Sequence, residues 1–287
     1  MPFIKKGVVI PKGTGTEIDA LFAAKPCILY IHGLLYCYYS GTNSAGTARI
    51  CLAISENGIS FNKLGAVITP TSGASDASGC DKSSVILYDG LIWLFYSGWV
   101  GSKFRICIAV SEDGIHFTKL GVSLPLGNTG SSDNLWISSA WVAENSGRIH
   151  LYYMGVATGI TQRIHLALSE NGINFIKLGI ILTVGSLNTI DYDGALEPSL
   201  IYQEGIWRLY YVGRLGTEYR DCLAISESGI NFTRMGVVIP LGGIGETDSS
   251  RVYQPDSIYV DGLYSLYYVG FLGSAYRICL AISESGL

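Results

Sequence analysis

The chain contains five copies of one motif at a nearly constant period. The sequence Ser-Glu-x-Gly begins at Ser55, Ser111, Ser169, Ser226 and Ser283, with spacings of 56, 58, 57 and 57 residues. A fixed period of this length is typical of repeat architectures, in which each copy is one supersecondary unit. The repeat covers all 287 residues and leaves no linker. We therefore predict a single domain.

The fifth copy ends early, because the chain stops at Leu287 just after its Ser-Glu-Ser-Gly motif. The segment that follows this motif in the other copies has its counterpart at the front of the chain, in residues 3–11 (Phe-Ile-Lys-Lys-Gly-Val-Val-Ile-Pro). If this segment completes the last copy, the two ends must meet, as in a closed ring that leaves few free sheet edges.

The dipeptides Asn57-Gly58, Asp113-Gly114 and Asn171-Gly172 favour two-residue hairpin turns, and each copy is consistent with four strands. The sequence thus predicts an all-β fold, a five-bladed β-propeller with four antiparallel strands per blade and an N-terminal strand that completes the C-terminal blade. The predicted blades span residues 20–68, 77–125, 134–182, 192–240, and 249–287 together with 1–11.

Composition excludes several classes of function. The net charge is −4 and no cluster of Lys or Arg is present, which argues against nucleic-acid binding. No apolar run reaches the roughly 18 residues of a membrane span. Four of the seven cysteines (Cys51, Cys107, Cys222 and Cys279) occupy one repeat position, so they should lie in different blades, too far apart for disulfides. Because the N-terminus also lacks the apolar core of a signal peptide, we predict buried thiols and a cytoplasmic protein.

Two charged positions recur in every copy. An aspartate precedes each inner strand, at Asp19, Asp76, Asp133, Asp191 and Asp248. An arginine opens each third strand, at Arg49, Arg105, Arg163, Arg220 and Arg277. One interpretation is structural, with each aspartate paired to an arginine and holding the loop that enters the blade. The alternative is a ring of five identical ligand sites, as in a multivalent lectin. The Ser-Glu-x-Gly motif itself is interpreted as turn chemistry on the opposite face.

Catalysis needs groups with different pKa values, so a catalytic set is expected where the copies differ. At the mouth of each inner strand the residues are Lys25, Lys82, Ser139, Glu197 and Gln254. Inner strands converge on the ring axis, so we expect Glu197, Asp81 and Asp256 to form a cluster of carboxylates, with Lys25 and Lys82 shifting their pKa values. The substrate-binding set is completed by Arg251 and by aromatic residues that could stack on sugars or simply pack between blades: Trp99, Trp136, Trp141, Tyr192 and Tyr253. The pattern predicts no metal site and no cofactor.

Three segments carry a family resemblance: residues 75–85 (Ser-Asp-Ala-Ser-Gly-Cys-Asp-Lys-Ser-Ser-Val), residues 94–99 (Leu-Phe-Tyr-Ser-Gly-Trp) and residues 105–117 (Arg-Ile-Cys-Ile-Ala-Val-Ser-Glu-Asp-Gly-Ile-His-Phe). Together they resemble one blade of the five-bladed glycoside hydrolase superfamily, which includes arabinanases, xylosidases, invertases and levansucrases. The nearest likeness is to glycosylase-like proteins of bacterial polysaccharide gene clusters. Residues 196–201 (Leu-Glu-Pro-Ser-Leu-Ile) are similar to the inner-strand motif that contains the family's glutamate.

The resemblance implies that Glu197 is a general acid. It also shows a departure, because Lys25 and Lys82 stand where the family carries its first two acids. Asp81 or Asp256 would then serve as base or nucleophile, about 5–10 Å from a second carboxyl group. We expect a carbohydrate-active enzyme that acts on a glycosidic bond of a small or oligosaccharide ligand at the channel mouth. The alternatives are a non-catalytic glycan-binding propeller and an enzyme of different chemistry that uses Lys25 and Lys82.

Overall fold

The computed structural model describes residues 2–157, 159 and 161–287, and these residues form twenty β-strands and no helix. The prediction of an all-β chain is confirmed.

None of the described segments is therefore a helix that could cross a membrane. The strands are β1 (Ile4–Ile10), β2 (Phe22–Ile31), β3 (Leu34–Thr42), β4 (Ala48–Ser55), β5 (Asn62–Ile68), β6 (Gly79–Tyr88), β7 (Leu91–Val100), β8 (Lys103–Ser111), β9 (Thr118–Leu124), β10 (Trp136–Asn145), β11 (Arg148–Val156), β12 (Gln162–Ser169), β13 (Ile176–Leu182), β14 (Gly194–Gln203), β15 (Ile206–Leu215), β16 (Glu218–Ser226), β17 (Thr233–Ile239), β18 (Arg251–Val260), β19 (Leu263–Leu272) and β20 (Ala275–Ser283).

The strands form five antiparallel units of four, which we call sheets 1 to 5. Sheet 1 is β2–β5, sheet 2 is β6–β9, sheet 3 is β10–β13 and sheet 4 is β14–β17. Sheets 3 and 4 are joined by a single parallel bridge between Gln162 and Gly194. Sheet 5 consists of β18, β19 and β20 with β1 on its outer edge, where Ile4 lies opposite Ile282. The N-terminal segment thus supplies the strand that the truncated last copy lacks.

The apolar core lies between the sheets. Five clusters of buried side chains each join two consecutive sheets, and one of them joins sheet 5 to sheet 1 through Tyr267, Ile278, Ala23 and Tyr39. The innermost strands make the same cycle of contacts, from β2 through β6, β10 and β14 to β18 and back to β2. Each sheet therefore buries both of its faces against neighbours.

In the first four copies the Ser-Glu-x-Gly motifs form the tight turns between the third and fourth strands, as predicted. In the first copy the Ser55 hydroxyl accepts a hydrogen bond from the Gly58 amide at 3.0 Å. Gly58 has a φ of 71°, and the Tyr267 hydroxyl of the neighbouring sheet donates to its carbonyl at 3.0 Å. A Cβ at Gly58 would lie 2.6 Å from that hydroxyl, so the turn requires glycine for conformation and for space.

The recurring aspartates are structural, but their predicted pairing with the recurring arginines is wrong. Each aspartate instead forms an ion pair with a basic residue on the outer strand of its own sheet: Lys63 for Asp19, Lys119 for Asp76, Lys177 for Asp133, Arg234 for Asp191 and Lys5 for Asp248. The same cation donates to a backbone carbonyl where the loop begins, as Lys63 does to Pro11 at 2.7 Å. The outer-strand cation thus contacts both the aspartate and the carbonyl at the beginning of the same loop.

Each of these carboxylates also accepts a hydrogen bond from a buried tyrosine, for example from Tyr39 to Asp19 at 2.9 Å. The arginines remain beside the loops, where Arg49 donates to the Thr47 carbonyl at 3.2 Å. Because the five aspartates are only 1–4% exposed and already paired, they offer no groups for a ring of five ligand sites. All seven cysteines are free and buried, as predicted.

Candidate active site

The five residues at the mouths of the inner strands share one unusual backbone conformation. Their φ angles are positive although none is glycine: 53° at Lys25, 34° at Lys82, 54° at Ser139, 50° at Glu197 and 62° at Gln254. Each residue lies at a β-bulge, where the pairing of the inner strand with the second strand is irregular. Such strain costs about 1–3 kcal/mol per residue and is concentrated at functional sites in proteins.

A cavity of about 470 Å³ opens beside this ring of bulges. Its polar wall is formed by Lys25, Asp81, Glu197, Arg251 and Gln254. Its aromatic wall is formed by Phe22, Tyr219, Tyr253 and Tyr276. These residues come from the inner strands and from the beginnings of the third strands β16 and β20, so the cavity lies on the face with the longer loops. The structure therefore brings two of the three predicted carboxylates, Asp81 and Glu197, into one cavity.

Asp81 and Lys25 form an ion pair inside the cavity. Burial by itself would raise the pKa of Asp81, but the charge of Lys25 and hydrogen bonds to Lys25 and Ser40 outweigh burial and lower that pKa. Burial would likewise lower the pKa of Lys25, but the charges of Asp81 and Glu197 raise it instead. Both groups are therefore ionised near neutral pH.

Glu197 lies in a different environment. Its side chain is buried and accepts a hydrogen bond from the Gln254 amide at 3.3 Å. Burial raises the pKa of Glu197, and the opposing charges of Lys25 and Lys82 do not cancel this effect. The other end of the Gln254 amide, Oε1, is buried and has no hydrogen-bond partner among the described residues. One wall of the cavity thus holds a carboxyl group whose pKa is raised and an amide oxygen that is buried without a partner.

Asp256 does not line this cavity. Its carboxylate accepts from the Ile28 amide at 2.8 Å and from the Ser199 hydroxyl at 3.4 Å, so it connects the inner strands of sheets 4, 5 and 1. Ser84 and Ser199, at the equivalent positions, accept in the same way from the Val142 and Ser257 amides. Burial raises the pKa of Asp256 to about 7, although the charge of Lys82 opposes the shift. Its position is that of a structural link between sheets.

Lys82 also lies outside the cavity lining. Its side chain is 2% exposed, and its ammonium group donates to the Pro26 and Pro255 carbonyls at 3.3 and 3.4 Å. It is therefore enclosed among the inner strands of sheets 1, 2 and 5, where its charge acts on Asp256 and Glu197. Lys82 contributes to the electrostatics of the site, but it is not accessible as a nucleophile.

Only one of the five predicted stacking aromatics, Tyr253, lines the cavity. Trp99 covers Gly79 and stacks on Phe104, with ring centroids 5.2 Å apart. Trp136 and Trp141 pack at the edges of apolar clusters, and Tyr192 is exposed in the loop before β14. For the three tryptophans, the interpretation as packing between strands and sheets is correct.

Sequence reasoning missed Phe22, Tyr219 and Tyr276, which form most of the aromatic wall. A signal was available, because the residue that precedes each recurring arginine varies between copies as Ala48, Phe104, Gln162, Tyr219 and Tyr276.

Sequence reasoning also missed Asp221, which occupies a position that is isoleucine in the other four copies: Ile50, Ile106, Ile164 and Ile278. Asp221 is fully buried, and both of its carboxyl oxygens lack a hydrogen-bond partner within the described part of the chain. Burial and the nearby charge of Glu197 raise its pKa well above the ordinary value. Of the five residues at this position of the repeat, Asp221 is the one that is not isoleucine, and it lies in the sheet that carries Glu197.

No protein family profile matches the chain. The uncharacterized protein Rv1502 of Mycobacterium tuberculosis (strain ATCC 25618 / H37Rv) is 25% identical over 255 residues, which covers 82% of this chain and 83% of the relative. The 1,2-beta-oligomannan phosphorylase of Thermoanaerobacter sp. (strain X514) is 26% identical over 138 residues, or 44% of this chain and 46% of that enzyme.

Solved structures show the fold more clearly. A structure from the GH130 family of mannoside phosphorylases, described as containing glycoside hydrolases that target β-1,2 mannosidic linkages in Candida mannan, superimposes with a TM-score of 0.81. The match covers 98% of this chain and 93% of that one at 18% identity. A family 117 glycoside hydrolase of Zobellia galactanivorans matches with a TM-score of 0.73 at 15% identity, over 98% of this chain and 90% of that one. The chain thus has the fold of glycoside hydrolase-like structures.

Proposed function

We propose that this chain is a carbohydrate-active enzyme that cleaves a glycosidic bond in the cavity lined by Glu197 and Asp81, at one end of a five-bladed β-propeller. The five sheets, their closed cycle of contacts and the N-terminal strand paired with β20 support the propeller. The fold shared with glycoside hydrolases and the partial match to an oligomannan phosphorylase support the carbohydrate substrate.

One observation carries the catalytic part of the proposal. Two carboxyl groups line the same cavity, and their environments shift their pKa values in opposite directions, upward for Glu197 and downward for Asp81. Such a pair supplies an acid and a base at the same pH. Glu197 would donate its proton to the leaving oxygen of the glycosidic bond. Asp81, kept ionised by Lys25, would activate the acceptor or stabilise the positive charge that develops on the sugar.

The other walls of the cavity suit a sugar ring. The aromatic side chains of Tyr219, Tyr253 and Tyr276 offer apolar faces to its C–H groups. The acceptor of the glycosyl group is either water or phosphate, and the name of the phosphorylase relative makes both worth testing.

The test is turnover of manno-oligosaccharides with and without inorganic phosphate, with free sugar and sugar 1-phosphate as the measured products. We expect Glu197→Gln to reduce turnover about 10²- to 10⁴-fold, the usual contribution of a general acid. Glu227→Gln is the matched control, because Glu227 is exposed in a tight turn on the opposite face. Full activity of Glu197→Gln would overturn the assignment of the acid.

The alternative is a glycan-binding protein without catalysis. One observation favours it, namely the lysines at two of the five mouth positions. This alternative predicts that wild-type protein and Glu197→Gln bind the same oligosaccharide with equal affinity and that neither releases product.

A further inference from the structure

Arg251 is the charged group in the cavity that lacks a counter-charge. Its guanidinium lies against the faces of Tyr219 and Phe271, 5.1 and 5.2 Å from their ring centroids. Across residues 2–157, 159 and 161–287 it forms no ion pair with any carboxylate. Its equivalents at the other inner strands are uncharged: Phe22, Gly79, Trp136 and Gly194. Arginine at this position is therefore not required by the repeat.

The rest of the cavity does not compensate for this charge. Lys25 and Asp81 neutralise each other as an ion pair. Glu197, whose pKa is raised by burial, carries no charge in the protonated state that acid catalysis requires. In that state the cavity has one net positive charge, that of Arg251.

The aromatic contacts also determine how Arg251 could bind a ligand. Ring faces stabilise a guanidinium from the side and leave the N–H groups at its edge free to donate. Those N–H groups match the two oxygens of a carboxylate, sulfate or phosphate group in a bidentate arrangement. A guanidinium held in advance by two rings loses little side-chain entropy when it binds such a group.

The face opposite the cavity is acidic. The tight turns on the opposite face contain nine exposed carboxylates, at Glu56, Asp89, Glu112, Asp113, Glu170, Glu204, Glu227, Asp261 and Glu284. All nineteen lysines and arginines lie outside these turns. An inner strand of ten residues separates the two faces by about 33 Å, several Debye lengths at physiological salt. At this distance the charges of the tight turns are screened at the cavity, so they do not oppose the binding of an anion there.

We propose that Arg251 is an oxyanion subsite and that the cavity accepts a saccharide carrying an acidic substituent. The saccharide part rests on the function proposed above, whereas the oxyanion part rests on Arg251 alone. The same chemistry could serve free inorganic phosphate, so the experiment must separate an acid attached to the sugar from an acid in solution.

The experiment measures binding to Glu197→Gln, which prevents turnover, with two ligands that differ at one carbon. Mannose and mannuronic acid share a ring, and only the second carries a carboxylate. We expect mannuronic acid to bind about 10- to 100-fold more tightly, the range for a hydrogen bond to a charged group. The preference should weaken as salt is added, and adding Arg251→Gln should remove the difference in affinity between the two sugars.

Two further variants separate charge from folding. Arg251→Lys should retain part of the preference, because it keeps the charge and loses the bidentate geometry. Arg148→Gln is the matched control, since Arg148 is exposed beside a tight turn on the opposite face, and it should change nothing. Thermal unfolding of each variant identifies any loss of binding that comes from misfolding.

The outcomes distinguish this inference from the proposed function. Equal affinity for both sugars overturns the inference, and turnover of neutral oligosaccharides by the wild type would then leave the proposed function intact. Binding of inorganic phosphate through Arg251, with no preference between the sugars, also overturns the inference and assigns the subsite to a free anion. Preferred binding of mannuronic acid through Arg251, without turnover of any oligosaccharide by the wild type, supports the inference and contradicts the catalytic function.

Discussion

Two sets of five equivalent residues differ in what the repeat holds constant. In the loops that enter the sheets, the aspartate is the same in every copy, and each one pairs with an outer-strand cation and a tyrosine. At the mouths of the inner strands the backbone is the same in every copy, with positive φ throughout, but the side chains are Lys25, Lys82, Ser139, Glu197 and Gln254. A repeated side chain therefore marks a structural contact here, whereas a repeated backbone with changing side chains marks the candidate site.

The largest effect on stability should come from a change in one of the five aspartates of the loops that enter the sheets. Asp76→Ala removes the partner of Lys119 and of the buried Tyr96 hydroxyl. We expect the free energy of unfolding to fall by about 3–5 kcal/mol, the cost of breaking a buried pair on one side. The matched change among the five residues at the mouths of the inner strands is Ser139→Ala. It should lower the free energy of unfolding by less than about 1 kcal/mol. Denaturant unfolding measures both, and equal losses would remove the distinction between the sets.

A pH-dependent effect is expected at Asp256. Burial raises the pKa of Asp256 to about 7 in the folded protein, so the folded chain holds a proton that the unfolded chain releases near pH 4. This group therefore stabilises the fold fully below about pH 4, and its contribution is lost as the pH rises to about 7. Asp256→Asn keeps an acceptor for the Ile28 amide and cannot ionise. Its stability relative to wild type should increase by about 2–4 kcal/mol between pH 4 and pH 7.

Chemical denaturation at several pH values measures this difference. Other buried acids with raised pKa values, such as Glu197 and Asp221, are present in both proteins, so the subtraction isolates Asp256. A difference that does not vary with pH would contradict the environment assigned to Asp256.

The smallest effect on stability should come from replacing Asp221 by isoleucine, the residue at the equivalent position of the other four copies. Asp221→Ile replaces a buried carboxyl without partners by the residue that the other four copies carry. We expect the free energy of unfolding to rise by about 1–3 kcal/mol, because the cost of burying an unsatisfied polar group is removed. The reverse change, Ile278→Asp, should destabilise sheet 5 by a similar or larger amount. A loss of stability in Asp221→Ile would show that Asp221 has a partner that supports the fold.

The sequence was sufficient for the overall layout because the period of 57 residues and the truncated last copy both depend on the whole chain. The sequence was not sufficient to identify the basic residue that forms an ion pair with Asp19. Both Arg49 and Lys63 recur in their respective columns, and sequence separation does not indicate which one the loop covers.

The side-chain directions at the mouths were also beyond sequence reasoning. Lysine, glutamate and glutamine have no preference for positive φ, so nothing at Lys25, Glu197 or Gln254 predicts a bulge. A bulge adds one residue to a strand and changes which neighbouring side chains share a face. For this reason Glu197 lines the cavity whereas Asp256, two positions beyond the mouth residue Gln254, links the sheets.

The pairing of β1 with β20 also determines the order in which the fold can be completed. On a ribosome β1 is made before the other nineteen strands described here, yet the strand with which it pairs, β20, is the last of the twenty to emerge. Sheets 1 to 4 contain only consecutive strands and can form as they appear, but β1 cannot pair until β20 has been synthesised. The pairing of β1 with β20 therefore closes the longest chain loop between paired strands and should be a late step of folding.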